Sequence, residues 1–368
     1  MLAFLRTARP LAAATAASVL LVGCGDDDPA GPRFSEETAN QVAAVAEDVV
    51  APMDATVEVQ MNLANAMFAL SGVSTAPMAP MQPFSAINAL RRPLAAARAL
   101  PIPSAPSGVL IPDEWEGTTF VWSSAEEMYV ASDLNGAPAS GIRFVYYAVD
   151  PVSGYPAEPL NDLGHIDLID ASTATRSRLE IVAVRDQGDV TLADYFVEGG
   201  VSGNLATQVV TIDSEGFFSD GSDRLDFDMG MTLTSTGEEE GTIVMDVDLS
   251  ANGGAIDAHF EDSVDGDLIE TETSFTIEGG GNEATFAYTT SGNEFEATID
   301  GALTFNGREA VVVTGDAYDP EFTQPDGSPL TADEIDALVR MWAAIGMTGL
   351  FVLQTLFPFL LLLSFASM

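Results

Sequence analysis

Alternation of apolar and polar residues, sustained from Arg178 to Ala317, constrains the fold of this chain more than any other feature. Its clearest instance is Leu225–Leu233, where every second residue is apolar and the intervening residues are mostly acidic or hydroxylic. A period of two is typical of a strand with one face in a core and the other in water. Turn residues recur about every 10 to 15 positions, which suits successive hairpins. The stretch therefore predicts an acidic antiparallel meander of about ten strands.

Runs rich in Gly, Asn, Asp and Ser mark the predicted turns. They are Gln187–Asp189, Glu198–Gly200, Ser219–Gly221, Gly237–Gly241, Ala251–Gly254, Asp265–Gly266, Gly279–Asn282, Ser291–Asn293 and Asn306–Gly307. One predicted face of the later strands is apolar and includes Ile243, Met245, Val247, Leu249, Ile256, Ala258, Phe260, Ile269, Phe275, Ile277, Phe295, Ala297, Ile299 and Leu303. The opposite face is acidic and includes Asp246, Asp248, Asp257, Glu261, Glu270, Glu272, Glu296 and Asp300.

Four weaker strand candidates precede the meander and extend the predicted β domain to residues 113–320. They are Thr118–Trp122, Met128–Ala131, Arg143–Val149 and His165–Ile169. The sequence thus predicts a mainly β protein with a large, curled antiparallel meander, either a half-barrel or an open sheet. Such a sheet must cover its apolar face, and we expect N- and C-terminal helices to do so.

The N-terminal helical region is predicted from Ser35, a candidate cap, to Ser71, where apolar residues recur at helical spacing. Pro52 predicts an interruption and hence two helices. Residues 73–112 are rich in Ala and Pro, so residues 35–112 form a helical and Pro/Ala-rich region. Arg91, Arg92 and Arg98 make its basic cluster, which is expected to pair either with anionic lipid or with the acidic surface of the chain.

The C-terminal region, residues 330–368, begins with a predicted helix cap at Thr331. From Met341 to Met368 no residue is charged. A run of this length is a candidate transmembrane helix. It is equally a candidate for a core helix that is apolar on all sides because a curled sheet encloses it. The sequence leaves both interpretations open.

The first 23 residues have the pattern of an export signal, with Arg6 and Arg9 before the short apolar run Leu11–Val22. Leu21–Cys24 then resembles the lipobox of bacterial lipoproteins. The resemblance implies cleavage before Cys24, acylation of that cysteine with diacylglycerol and palmitate-type chains, and a membrane anchor. Residues 24–34 would form the lipidated tether. The resemblance places the body in the cell envelope, outside the cytoplasm, without choosing between inner and outer membrane.

Charge and motifs exclude several function classes. The chain has 56 acidic and 13 basic residues and a net charge of −43, which argues against nucleic acid as a partner. It has two histidines, His165 and His259, and His259 falls on the acidic register. Cys24 is the single cysteine. Nucleophile elbows, zinc-protease helices and phosphate loops are missing from the sequence, so we expect a protein that is not an enzyme and needs no cofactor.

Two oxygen-rich segments are weighed as calcium sites, because hard cations prefer carboxylate ligands. One is the predicted loop Asp262–Asp267, and the other combines Asp316, Asp319 and Glu321. The sequence favours a solvated turn for each segment, with a calcium site as the alternative.

The leading hypothesis is a non-enzymatic cell-envelope lipoprotein. Its expected layout resembles the half-barrel lipoprotein carriers of the envelope, which implies a lipid or other hydrophobic ligand between sheet and helices. The alternative is a structural or adhesive surface protein with an acidic, calcium-binding face. A transmembrane β-barrel is a third interpretation, disfavoured by the lipobox, the short turns and the helix-like end of the chain.

Overall fold

The computed structural model describes residues 36–71, 109–150, 152–204, 207–236, 240–293, 296–317 and 319–365. Within them lie two long helices, α1 (Glu36–Ser71) and α2 (Ala332–Phe365). The strands are β1 Thr119–Ser123, β2 Met128–Ser132, β3 Gly141–Tyr147, β4 Asp162–Asp170, β5 Ser177–Arg185, β6 Val190–Asn204, β7 Thr207–Ser219, β8 Arg224–Ser235, β9 Glu240–Ala251, β10 Gly254–Asp265, β11 Leu268–Gly279, β12 Asn282–Gly292, β13 Ala297–Phe305, β14 Arg308–Asp316 and β15 Asp319–Thr323.

All the strands belong to one open sheet in the order β15 to β3 followed by β1 and β2. Each pair is antiparallel except β1 with β3, which is parallel. The ten strands β5 to β14 cover the stretch in which the alternation predicted about ten. The predicted antiparallel fold, with one helix before the strands in the chain and one after them, is therefore confirmed.

The two edges of the sheet carry features that discourage pairing with another strand. The edge strand β15 is five residues long and contains Pro320 between Asp319 and Glu321. The other edge strand, β2, is also five residues long and lies between Glu127 and Asp133.

The two faces of the sheet differ as the alternation predicted. In β9 the side chains of Ile243, Met245, Val247 and Leu249 are buried, whereas Asp246 and Asp248 are exposed. The buried face carries the core, because both helices lie against it.

Helix α1 runs across the strands. The twelve strands from β12 to β2 span about 53 Å at the usual strand spacing of about 4.8 Å, and a helix of 36 residues is about 54 Å long. Near its start Gln41 accepts a hydrogen bond from Asn282 (3.2 Å), and near its end Asn62 bonds the main chain of Tyr147 on β3. The helix thus ties the two halves of the sheet together.

Pro52 does not divide α1, so the predicted interruption is wrong. The helix continues through this residue, whose side chain is buried. Proline removes one main-chain hydrogen bond and disfavours the preceding turn. Burial of Val49 and Met53 on either side indicates that packing on the sheet outweighs that local cost. The predicted cap, Ser35, lies outside the described residues.

Helix α2 follows α1 across the apolar face. It starts beside β15, reaches β12 at Trp342 and reaches β7 and β8 at Phe351. The described side chains of the predicted apolar run include the buried Met341, Trp342, Phe351, Phe359 and Leu362. Among the described residues, no helix is both long and apolar enough to span a bilayer. Of the two interpretations of this run, the packed helix is the one observed.

Gly199 and Gly200 do not form a turn, so this sequence prediction is wrong. Both lie inside β6, and Gly199 admits the ring of Phe359 from α2. A Cβ atom added at Gly199 would lie 2.7 Å from Phe359 Cζ, whereas at Gly200 the nearest atom, Thr211 Oγ1, would be 3.8 Å away. The glycine is required by the close approach of a helix and not by a change of chain direction.

We expect Gly199→Ala to lower the free energy of unfolding by about 1–3 kcal/mol, because the added methyl group overpacks the contact with Phe359. Denaturant melts measure this change. Gly200→Ala is the matched control and should be neutral or slightly stabilising, since alanine suits a strand better than glycine. Adding Phe359→Leu to Gly199→Ala should recover part of the loss. Equal effects of the two alanine variants would contradict the contact.

Candidate functional site

Cys24, the predicted lipidation site, lies outside the described residues. So do the predicted signal sequence, the predicted tether and the cluster of Arg91, Arg92 and Arg98. Acylation at Cys24 therefore stays a prediction from the sequence.

The interface between α2 and the sheet is the place where a hydrophobic ligand was expected. The ring centre of Trp342 lies 4.4 Å from that of Phe286. The ring centre of Phe351 lies 5.3 Å from that of Phe218 and 5.2 Å from that of Phe227. Between α2 and strands β11 to β13 there is a cavity of about 10 Å³. This volume is about that of one water-sized probe and far below that of an acyl chain. This cavity is therefore too small for an acyl chain.

The exposed face carries four carboxylates on four neighbouring strands, which we call the acidic rung. Glu215 on β7 is opposite Asp228 on β8, which is opposite Asp248 on β9, which is opposite Asp257 on β10. Directly opposed residues of neighbouring strands have Cβ atoms about 4.5–5.5 Å apart, and like charges there repel. The four carboxylates of the rung, when charged, therefore repel one another across the middle of the sheet.

Partial desolvation, together with this repulsion, raises the pKa of two members of the rung. Partial desolvation, and then a hydrogen bond and the charge of Asp248, raise the pKa of Asp257. Partial desolvation, and then the charges of Glu215 and Asp248, raise the pKa of Asp228. In both cases the charged form is disfavoured by the loss of water and by nearby negative charge.

We expect Asp257→Asn to increase stability at about pH 7, with a gain that shrinks as the pH falls towards about 4. Because the pKa of Asp257 is raised in the folded state, the folded chain binds the proton more tightly than the unfolded chain. The wild type therefore gains stability from this group as the pH falls through the raised pKa. Urea melts of both proteins across this pH range measure the difference.

Asp226→Asn provides the matched control on β8. The Asp226 carboxylate lies 2.5 Å from the guanidinium of Arg224, so its removal should lower stability or leave it unchanged. A destabilising Asp257→Asn at about pH 7 would contradict the repulsion assigned to the rung.

The two histidines pair with single carboxylates on strand surfaces and loops. His259 Nδ1 lies 2.7 Å from Asp246 Oδ1, and His165 Nδ1 lies 3.2 Å from Asp186 Oδ1. His259 is on the acidic face, as its register predicted. Each pair is partly exposed.

Neither calcium candidate forms a cluster of ligands. Within the described ranges, no group of three or more His, Cys, Asp or Glu side chains is placed to hold a metal ion. Asp262 belongs to β10 and not to a loop; its side chain is buried on the apolar face, where it accepts a 2.5 Å hydrogen bond from Thr271. The hairpin turn is so short that Asp262 and Asp265 remain in the strand. Asp316 and Asp319 form one cross-strand pair at the β14–β15 turn.

Two features of the surface were missed by sequence reasoning. The first is the acidic rung, since alternation shows which residues face water but not which of them are neighbours. Counting outward from the two-residue turns Asn252–Gly253 and Gly266–Asp267 would have found the β9–β11 register. The second is that arginines cover outward-facing rings: Arg178 lies 3.8 Å from the ring centre of Phe196, and Arg224 lies 3.8 Å from that of Phe217.

Comparisons with known proteins yield no relative: no family model matches the chain, and neither a curated protein nor a solved structure is detectably similar to it.

Proposed function

We propose that this chain is a non-enzymatic lipoprotein of the cell envelope, anchored through an acylated Cys24, whose body displays an acidic sheet face. The anchor is supported by the leader and by Leu21–Cys24. The single observation that supports the surface role is the asymmetry of the sheet: its apolar face is packed by α1 and α2, and its other face presents rows of carboxylates. Such a face attracts cations and cationic envelope polymers.

Metabolic labelling with a palmitate analogue tests the anchor. We expect the wild type to incorporate the label and to fractionate with membranes, whereas Cys24→Ser should lose the label and the membrane association. Labelling that persists in Cys24→Ser would contradict the assignment of this cysteine.

Thermal melts with calcium chloride, compared with sodium chloride at equal ionic strength, test the acidic face. A cation that binds the folded state raises the melting temperature beyond the effect of screening. We expect an additional rise with calcium that is reduced in the variant carrying both Asp248→Asn and Asp257→Asn. Equal melting temperatures in the two salts would contradict calcium binding, and would mean that both salts act only by screening charge.

The second candidate function is a carrier of a hydrophobic ligand, which is supported by the continuous apolar face beneath α2. The packed interface means that a ligand would enter only if α2 moved away from the sheet. Mass spectrometry of gently purified Cys24→Ser protein, which carries no acyl anchor of its own, tests this role. Absence of co-purified lipid together with absence of binding to added lipid would contradict it.

A further inference from the structure

Three asparagines of the chain are each followed by glycine: Asn135, Asn252 and Asn306. This pair is chemically labile, because glycine has no side chain to hinder the attack of its main-chain nitrogen on the amide carbon of the asparagine. The attack closes a succinimide ring, and the glycine N–H proton leaves with the amide NH2 group as ammonia. Water then opens the ring to aspartate or isoaspartate. An amide is thus exchanged for a carboxylate without any oxidant or reductant.

Asn252 and Asn306 lie in two-residue hairpin turns. Asn252–Gly253 joins β9 to β10, and Asn306–Gly307 joins β13 to β14. Both asparagines have a left-handed backbone, with φ of 54° and 49°, and the glycine after each also has a positive φ. This geometry is that of a type I′ turn, and strand pairing holds it on either side. Ring closure has to rotate the main chain between asparagine and glycine, so it has to open the end of the hairpin.

The side chains of these two turn asparagines are also held by hydrogen bonds. Asn252 Nδ2 donates to Asp48 O of α1 (3.2 Å). Asn306 Nδ2 donates to Asn282 Oδ1 (3.3 Å), and Asn306 Oδ1 accepts from Glu283 N (2.9 Å). Each amide therefore has to give up its partners before its carbon can meet the glycine nitrogen.

Asn135 has neither restraint. It lies in the loop between β2 and β3, where residues 133–138 belong to no strand or helix, and both Asn135 and Gly136 are exposed. Among the residues that the structure describes, none forms a hydrogen bond with the Asn135 side chain. A Cβ atom added at Gly136 would lie 2.9 Å from Arg143 Nη1, so the loop passes close to a guanidinium. A nearby positive charge favours the loss of the glycine N–H proton that ring closure requires.

From this contrast we propose that Asn135 is the site at which the folded chain deamidates, while the fold protects Asn252 and Asn306. Isoaspartate at position 135 lengthens the main chain by one CH2 group, and the unpaired loop takes up this length. The same change in a two-residue turn would disturb the register of the hairpin. The product also adds a negative charge beside Arg143, whose Nε and Nη2 bind Asp167 (2.6 and 2.7 Å). Because the reaction concerns the chain alone, it does not depend on either proposed function.

Peptide mass spectrometry of the full chain, aged in detergent micelles in mildly alkaline buffer, tests the proposal. Digestion with pepsin at acidic pH, where ring closure is slow, preserves the products for measurement. In the folded chain we expect Asn135 to deamidate about ten times faster, or more, than Asn252 and Asn306, because the two turns have to open locally before they react. In the chain unfolded in urea the three rates should become similar, since each asparagine precedes glycine.

Asn135→Gln is the matched control, because glutamine has to close a larger ring, which forms far more slowly. Deamidation at this position should be lost, and the rates at Asn252 and Asn306 should stay unchanged. Three outcomes would overturn the proposal: equal rates at the three sites in the folded chain, faster deamidation of either turn asparagine, or a lead of Asn135 that persists undiminished in urea. The first two would mean that the turns give no protection, and the third that local sequence sets the rate instead of the fold.

Discussion

Phe351→Ala is expected to lower the free energy of unfolding by about 3–5 kcal/mol, the usual cost of removing a buried phenylalanine ring. Phe351 is 2% exposed and packs edge-on against both Phe218 and Phe227. The three rings join α2 to two neighbouring strands, so the sheet cannot close the space without moving the helix. Urea or guanidinium denaturation followed by circular dichroism measures the change.

Val339→Ala is the matched control on the same helix. Val339 is 36% exposed, so its truncation should change stability by about 0.5 kcal/mol or less. If Phe351→Ala cost no more than Val339→Ala, α2 would not be packed on the sheet in solution. That result would favour the interpretation of Met341–Met368 as a transmembrane helix.

Asn62→Leu is the second replacement with a large expected effect, a loss of about 3 kcal/mol or more. Asn62 is fully buried, and its amide bonds both main-chain groups of Tyr147 and accepts from the Tyr129 hydroxyl at 2.8 Å. Leucine has a similar size but leaves these groups without the amide partner. Burial, and then the nearby Tyr147, raise the pKa of Tyr129 well above its usual range, so its hydroxyl stays protonated and can donate.

Asn65→Leu is the control for this replacement. Asn65 lies one turn further along α1, is partly exposed and has one described hydrogen bond to a loop, to Gly154 O. We expect it to cost about 1 kcal/mol. Similar losses in the two variants would show that the Asn62 network contributes no more than a single surface bond.

The alternation of residues predicted the sheet because side-chain direction in a strand is a local property of the backbone. The ten strands of the meander, the dry and acidic faces of β9 and the acidic position of His259 all follow from this period of two. Thr331 as a helix cap was equally local, since its partner Glu334 is three residues away. Asn62 could not be recognised in the same way, because its partner Tyr147 is 85 residues away in the chain.

Some residues allow two explanations from their local sequence, and only the tertiary structure decides between them. Gly199 was predicted to turn the chain, and it instead makes room for Phe359, which is 160 positions later. Pro52 was predicted to end a helix, and the helix continues because its buried face rests on the sheet. Asp262 was assigned to a loop, and the hairpin register places it inside β10 with its carboxylate on the apolar face.

By itself, the sequence determined the fold class, the existence of two unlike faces and the need for a helical cover. The tertiary structure alone decided that the described part of the run after Arg340 packs on the sheet, that a cavity of about 10 Å³ lies between it and β11 to β13, and that four carboxylates meet across β7 to β10. The physical reason is distance along the chain. Backbone periodicity is set by adjacent residues, whereas packing, register and desolvation depend on contacts between segments that the sequence keeps far apart.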